Sequence, residues 1–187
     1  MLTDDRATIE DLIEIIGDDP KREGLLDTPK RVLKAYKELF AGYTQDPAEI
    51  LQRVFKDGID YDQMIVVKNI PFVSFCEHHM LPFTGIAHVG YLPKGCVVGL
   101  SKIPRVVDVF AKRLQVQERL TDQIADAIFD NLQPQGVGVI ISASHTCMSM
   151  RGVEKHGASM ATTALRGTFM QHEHKQEFYK MVEMELS

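Results

Sequence analysis

The sequence predicts an α+β fold: a four-stranded antiparallel sheet with a helical hairpin on one face, preceded by an N-terminal helical region. Three observations predict it. Residues 1–57 carry helix starts and helical apolar spacing. From residue 58 the segments read β-β-α-α-β-β. Two strand pairs joined by a helical hairpin fold most simply as one antiparallel sheet covered on one side. The expected division is 1–57 for the helical region and 58–187 for the sheet domain.

The elements follow in order. Residues 7–16 form an amphipathic helix that ends at Gly17. Thr28 as N-cap and Pro29 at the first helical position open the next helix, with Val32, Tyr36 and Leu39 at helical spacing and Gly42 as its stop. Asp46-Pro47 opens a third, expected to run to about Phe55. Met64–Val67 and Phe72–Phe75 are rich in β-formers and broken by Pro71; Thr84–Leu92 reads as the partner strand. After a short Val97-Val98 stretch, Ser101 opens a helix with Ile103, Val106, Val107, Phe110 and Leu114 on one face. A second helix runs from about Glu118 to Leu132 and stops at Pro134-Gln135-Gly136. Val137–Ala143 and Ala158–Phe169 are the second strand pair, and a helix follows from Gln171. A sheet of this kind has unpaired edges, a reason to expect an oligomer.

The chain has 187 residues, 44% hydrophobic and 25% charged, enough for a core without disulfides. No run approaches the roughly 20 apolar residues that span a bilayer. The acidic, amphipathic N-terminus is unlike a secretory signal, so the expected compartment is the cytoplasm and no membrane partner is expected. Three cysteines, Cys76, Cys96 and Cys147, do not make a disulfide framework. A net charge of −5 gives no reason to expect a nucleic-acid partner. Yet residues 94–119 hold six bases against two acids, which suggests either a confined anion site or a solvated helix face.

Four constellations carry chemistry. Cys76-Glu77-His78-His79 follows a strand, and the Cys-x-x-His spacing brings two zinc-type ligands, Cys76 and His79, to one turn. His145-Thr146-Cys147 continues a later strand, whose alternation puts His145 and Cys147 on one face. Cys147 is the expected third ligand; the alternative is a core cysteine beside a satisfied histidine. Two thiolates and one imidazole leave a coordination position open for water, as in catalytic zinc sites. His78 and His145 remain as proton-transfer candidates. Ser101-Lys102-Ile103-Pro104-Arg105 places two cations beside a helix N-terminus, a phosphate-binding arrangement or simply a capped helix with exposed bases. Gln117-Glu118-Arg119 opens the next helix; its carboxylate answers the helix dipole or recognises paired N–H donors such as those of guanine. Arg151 and Arg31 are further phosphate candidates.

Taken together, Thr28-Pro29-Lys30-Arg31-Val32, FCEHHMLPFTGIAHVGYLP (75–93), VGLSKIPRVVDVFAKRLQVQERLTDQIADAI (98–128) and SHTCMSMRGVEKHGA (144–158) resemble GTP cyclohydrolase I, in family order and over nearly the whole chain. The resemblance implies the tunnelling fold (T-fold), a homodecamer of two stacked five-subunit rings, and sites at subunit boundaries. It implies zinc on Cys76, His79 and Cys147, guanine held by Glu118 with Gln117 beside it, and ribose and triphosphate held by Ser101, Lys102, Arg105, Arg151 and Arg31. The implied substrate is GTP. Water activated by zinc attacks guanine C8, the ring opens, formate leaves, and the rearranged ribose closes to 7,8-dihydroneopterin triphosphate. His145 would serve ring opening and His78 the ribose steps. Cys96 matches no family role and is expected in the interior. The alternatives are another T-fold enzyme of pterin or 7-deazaguanine metabolism, such as a nitrile reductase with a cysteine nucleophile, and a non-catalytic zinc protein.

Overall fold

A computed structural model describes residues 6–55 and 61–184. The boundary expected between residues 57 and 58 lies outside the described residues. The chain separates into two compact units, one ending at Ala41 and one beginning at Gly42.

The first unit holds helices α1 (Arg6–Ile16) and α2 (Thr28–Leu39). Asp27, not Thr28, holds the N-cap position of α2, without a side-chain capping bond, so Thr28 already lies in the helix with Pro29 behind it. Proline is at home there because first-turn amides lack intrahelical acceptors.

The second unit begins with α3 (Pro47–Leu51). Asp46 caps it by accepting from the Ala48 amide at 2.8 Å. The helix stops at Leu51 instead of reaching Phe55. Val54 and Phe55 form a short strand, β1, paired antiparallel with Val98 and Val97 of β4. Cross-strand pairing outweighs the helical continuation at these β-favouring residues.

The main sheet has the order β5-β2-β3-β6-β7. Four long strands, β2 (Ile65–Cys76), β3 (Pro82–Leu92), β6 (Gly136–His145) and β7 (Met160–Gly167), form the expected antiparallel array. The fifth, β5 (Leu114–Gln115), adds two residues parallel to Phe75 and Cys76. Leu114 therefore belongs to the sheet edge and not to the preceding helix, α4 (Lys102–Ala111). β2 runs unbroken through Pro71. Its register shifts between Val67 and Ile70, with Asn69 at φ 55°. Pro71 is tolerated because β2 has a neighbour on one side only, except at Phe75 and Cys76.

Alternation decides which face is core. Phe83, Ala87, Val89 and Tyr91 of β3 and Val137, Val139, Ile141 and Ala143 of β6 point to one face. There they pack with Ile103, Val106, Val107 and Phe110 of α4 and Leu120, Ile124 and Ile128 of α5 (Gln117–Leu132). The helical hairpin thus covers one face. A smaller cluster on the other side joins Leu92 to Phe169 and to Phe178 of α7 (His172–Glu183). Among the described residues no helix is long and apolar enough to cross a membrane.

Candidate active site

The strand endings build the site. β2 delivers Cys76 into a tight turn, closed by the Cys76 amide donating to Leu81 O (2.9 Å) and the Met80 amide donating to Cys76 O (2.8 Å). Met80 takes φ 53° to complete it. The turn throws His78 and His79 outward, and both rings place Nδ1 at 3.8 Å from the Cys76 sulfur. The chain re-enters β3 at Pro82. Phe83 pairs with His145, so the end of β6 returns beside that turn.

β6 ends at His145, and Thr146–Ser149 form one helical turn, α6. This differs from the strand expected through Cys147: alternation does not carry the cysteine to the site. Thr146 does so, by donating its hydroxyl to Pro82 O at 2.5 Å and pinning α6 against the start of β3. Ligand atoms of Cys76, His79 and Cys147 then lie within 4.8 Å of one another. The Cys76 side is buried, Cys147 half-buried and His79 exposed. Two sulfurs and an imidazole nitrogen at that spacing fit a borderline-soft ion such as zinc. Burial, and then the neighbouring Cys76 thiol, push the Cys147 thiol above its ordinary range. A bound cation reverses that by favouring both thiolates.

Around the trio the surroundings are unequal. His78 is exposed, its ring edge-on to His79 with centroids 6.3 Å apart. Glu77 is tied to Arg119 by two contacts of 2.6 and 3.0 Å, which anchor the turn to the start of α5. Arg119 holds the Glu77 carboxyl below its usual range. His145 is stacked on Phe83, with centroids 4.5 Å apart and planes 9° from parallel. Its Nε2 lies 2.8 Å from Gln117 Oε1. Burial lowers the His145 pKa, and the Glu118 charge opposes this.

Glu118 is exposed on the first turn of α5, close enough to act on His145. Gln117 differs from the expected guanine contact. It is 1% exposed, and its amide nitrogen, with two hydrogens, lies 3.1, 3.0 and 3.1 Å from the acceptors Ile141 O, Met160 O and Thr162 Oγ1. A carboxamide occupied in this way has no free group for a ligand.

Ser101, Lys102 and Arg105 line an open cleft of about 550 Å³ together with Arg53, Phe55 and Gly99. Ser101 makes no side-chain capping bond to α4. Among the described residues the cleft is lined by three cations and no carboxylate, which suits an anion. Arg53 gave no signal in the sequence: only the β1–β4 pairing brings it beside Ser101. None of the Cys76, His79 and Cys147 group lines this cleft, so within one chain the two features are separate. Arg151 is exposed in the turn after α6, where its charge reaches Cys147. Arg31 lies on α2 in the first unit, 3.4 Å from Asp27. Cys96 is half-buried and lines a cavity with Val54 and Leu132, which corrects the expected interior position.

The family model and the curated relatives agree on one family. The family model described as GTP cyclohydrolase I matches residues 6–183. A protein of Wolinella succinogenes named GTP cyclohydrolase 1 is 57% identical over 162 residues, 87% of this chain and 86% of that one. One of the same name from Brucella suis is 56% identical over 163 residues, 87% of this chain and 76% of that one. Among solved structures, an archaeosine synthase QueF-Like in the apo form matches with a TM-score of 0.47 and 18% identity, over 56% of this chain and 93% of that one. The sheet and its helical hairpin are accordingly a T-fold, and the chain belongs to the GTP cyclohydrolase I family.

Proposed function

We propose that the chain hydrolyses GTP at guanine C8, releases formate, and forms 7,8-dihydroneopterin triphosphate, the entry step of tetrahydrofolate and pterin biosynthesis. The observation that carries the reading is the meeting of Cys76, His79 and Cys147 from two separated segments beside a half-buried histidine held by Gln117 and Phe83. A closed structural zinc site takes four protein ligands; among the described residues three converge here, which favours a catalytic site. Zinc bound there supplies Lewis acidity that brings the ionisation of water to near pH ~7.

The chain's own groups do the rest. Glu118 accepts from guanine N1–H and the 2-amino group through its two carboxylate oxygens. Ser101, Lys102 and Arg105, with Arg53, Arg151 and Arg31, hold ribose and triphosphate. His145 takes up the proton released from the attacking water and passes it to the ring nitrogen as its bond to C8 breaks. Two waters enter over the two hydrolyses, one carbon leaves as formate, and closure of the rearranged ribose onto the exposed amine expels one water. His78, exposed beside the trio, serves the proton transfers at the ribose.

A homodecamer with sites at subunit boundaries fits two features of the single chain. β7 pairs only with β6, and most of the outer side of β2 is unpaired among the described residues. The cation cleft also shares no residue with the metal trio, which supports a site completed by a second chain. The catalytic domain is read as 58–187: every zinc, proton-transfer and guanine residue lies there, and residues 1–57 add only cations. The three free thiols suit the cytoplasm.

The test is formate release and pterin fluorescence from GTP, with and without a chelator. Zinc-loaded protein that releases no formate from GTP refutes the reading. Light scattering should give a mass near ten subunits.

A further inference from the structure

We infer that Gln117 is a positioning residue that fixes the tautomer and orientation of His145 and makes no contact with substrate. The inference rests on the reading of His145 as a proton-transfer group.

Gln117 sits in a buried network whose donors and acceptors fix one another. The Gln117 amide nitrogen faces two backbone carbonyls, Ile141 O at 3.1 Å and Met160 O at 3.0 Å. Carbonyls only accept, so the amide cannot be flipped: its oxygen in that place would meet two lone pairs. Thr121 donates to Gln117 O at 2.7 Å, which uses the Thr121 hydrogen. The Thr121–Thr162 contact of 2.7 Å must then take its hydrogen from Thr162. Thr162 Oγ1 is left as an acceptor, consistent with its 3.1 Å approach to the Gln117 nitrogen. The direction of every bond in the chain is thereby set.

One consequence remains. Gln117 Oε1 can only accept, and it lies 2.8 Å from His145 Nε2. Nε2 therefore carries a hydrogen. Phe83 lies flat against the ring and holds its plane. Nδ1 is left as the nitrogen that meets the substrate. A single carboxamide between two strands and one helix thus sets both the identity and the aim of the working nitrogen. This separates adjacent residues of one helix turn: Glu118 reads the substrate, and Gln117 reads His145.

Neutron diffraction of the zinc-loaded protein grown in heavy water is the direct test. Deuterium on His145 Nε2, pointing at Gln117 Oε1, is expected; deuterium on Nδ1 with Nε2 bare overturns the inference. The result does not depend on GTP turnover, so it stands or falls apart from the proposed reaction. Kinetics give a second arm. Gln117→Met, with retained zinc, should lower kcat about 10- to 100-fold and leave KM for GTP within about threefold, the pattern of an outer group acting through another. A raised KM at unchanged kcat would mean that Gln117 touches substrate and would overturn it. Thr162→Val removes a hydroxyl from the same network but leaves the amide on its carbonyls. It should keep kcat within about twofold; a loss equal to that of Gln117→Met would mean that the network acts only through stability and would also overturn the inference.

Discussion

The two histidine-bearing corners of the site are built in opposite ways. The corner at the end of β6 is finished by the fold: His145 is stacked on Phe83 and bonded to a buried amide. The corner at the 76–81 turn is not. His78 and His79 are exposed, and the turn is held from outside by the Glu77–Arg119 pair. One corner has its ring held by packing and a buried partner; the other presents its rings to solvent. The difference places the binding energy of metal and substrate where the fold left freedom, and the aim of the proton-transfer group where the core could guarantee it.

Removing the atom that joins the corners should have the largest effect. Cys147 comes from the β6 side and completes a trio begun on the turn. Cys147→Ser should lose bound zinc and reduce turnover on the order of 10³-fold or more, because the residues act as a unit. Metal analysis of the purified variant alongside formate release checks both; full activity at normal zinc content would sink the ligand assignment.

Glu118→Ala comes next. It leaves the trio and the His145–Gln117 bond in place but removes the acceptor for guanine's donors, along with the charge that supports the His145 proton. We expect kcat/KM for GTP to fall roughly 10²-fold and the preference for GTP over ITP to vanish, since buried substrate donors would go unpaired. Parallel assays with the two nucleotides decide it: unchanged discrimination contradicts the role.

The sequence showed the contents of each corner better than its construction. Cys-x-x-His on one turn is local chemistry and is legible from spacing. Cys147 was reached for a reason the structure does not bear out: the strand ends at His145, and a hydroxyl bond from Thr146 to Pro82 O brings the cysteine home. Such a bond joins residues 64 positions apart and leaves no periodicity to read. Arg53 was missed on the same grounds, because β1 is two residues long and exists only through its pairing with β4. The sequence places Gln117 beside Glu118 at the guanine ring and gives no sign of its burial. Its burial depends on β6 and β7 lying across it, a long-range fact. The four long strands were legible because apolar alternation on β3 and β6 is a local record of a face that will be buried.

That face has an opposite side, which offers a smaller and purely structural test. Gly138 of β6 lies under α7, and a Cβ there would sit 2.6 Å from Phe169 and 2.7 Å from Phe178. Gly138→Ala should cost about 1–3 kcal/mol by forcing both rings to move. If the corner at His145 is fixed by the opposite face alone, this variant should retain its metal and its kcat at temperatures where it is folded. Denaturant unfolding combined with turnover measures both; a loss of kcat without a loss of stability would show that the two faces are coupled.

The smallest effect concerns pH. His88 of β3 is 8% exposed, and the Asn69 amide approaches its Nδ1 at 3.4 Å. Burial lowers its pKa, and the Lys68 charge adds to this. The unfolded chain takes up a proton at about pH 6.5, where the folded protein still resists it. Between those two values the unfolded state binds more protons, so stability rises with pH. His88 therefore contributes stability that is fully present above about pH 6.5 and is lost as pH falls from there toward the folded value. Metal release also follows acidification, because thiolate and imidazole ligands are reprotonated. His88→Gln separates the two. The variant keeps the trio and so keeps the metal-linked loss, but it lacks the buried imidazole. Melting temperatures of both proteins between pH 7.5 and 5.5 should converge as pH falls; parallel curves would mean that His88 is not held neutral by the sheet, and that the acid sensitivity belongs to the metal corner alone.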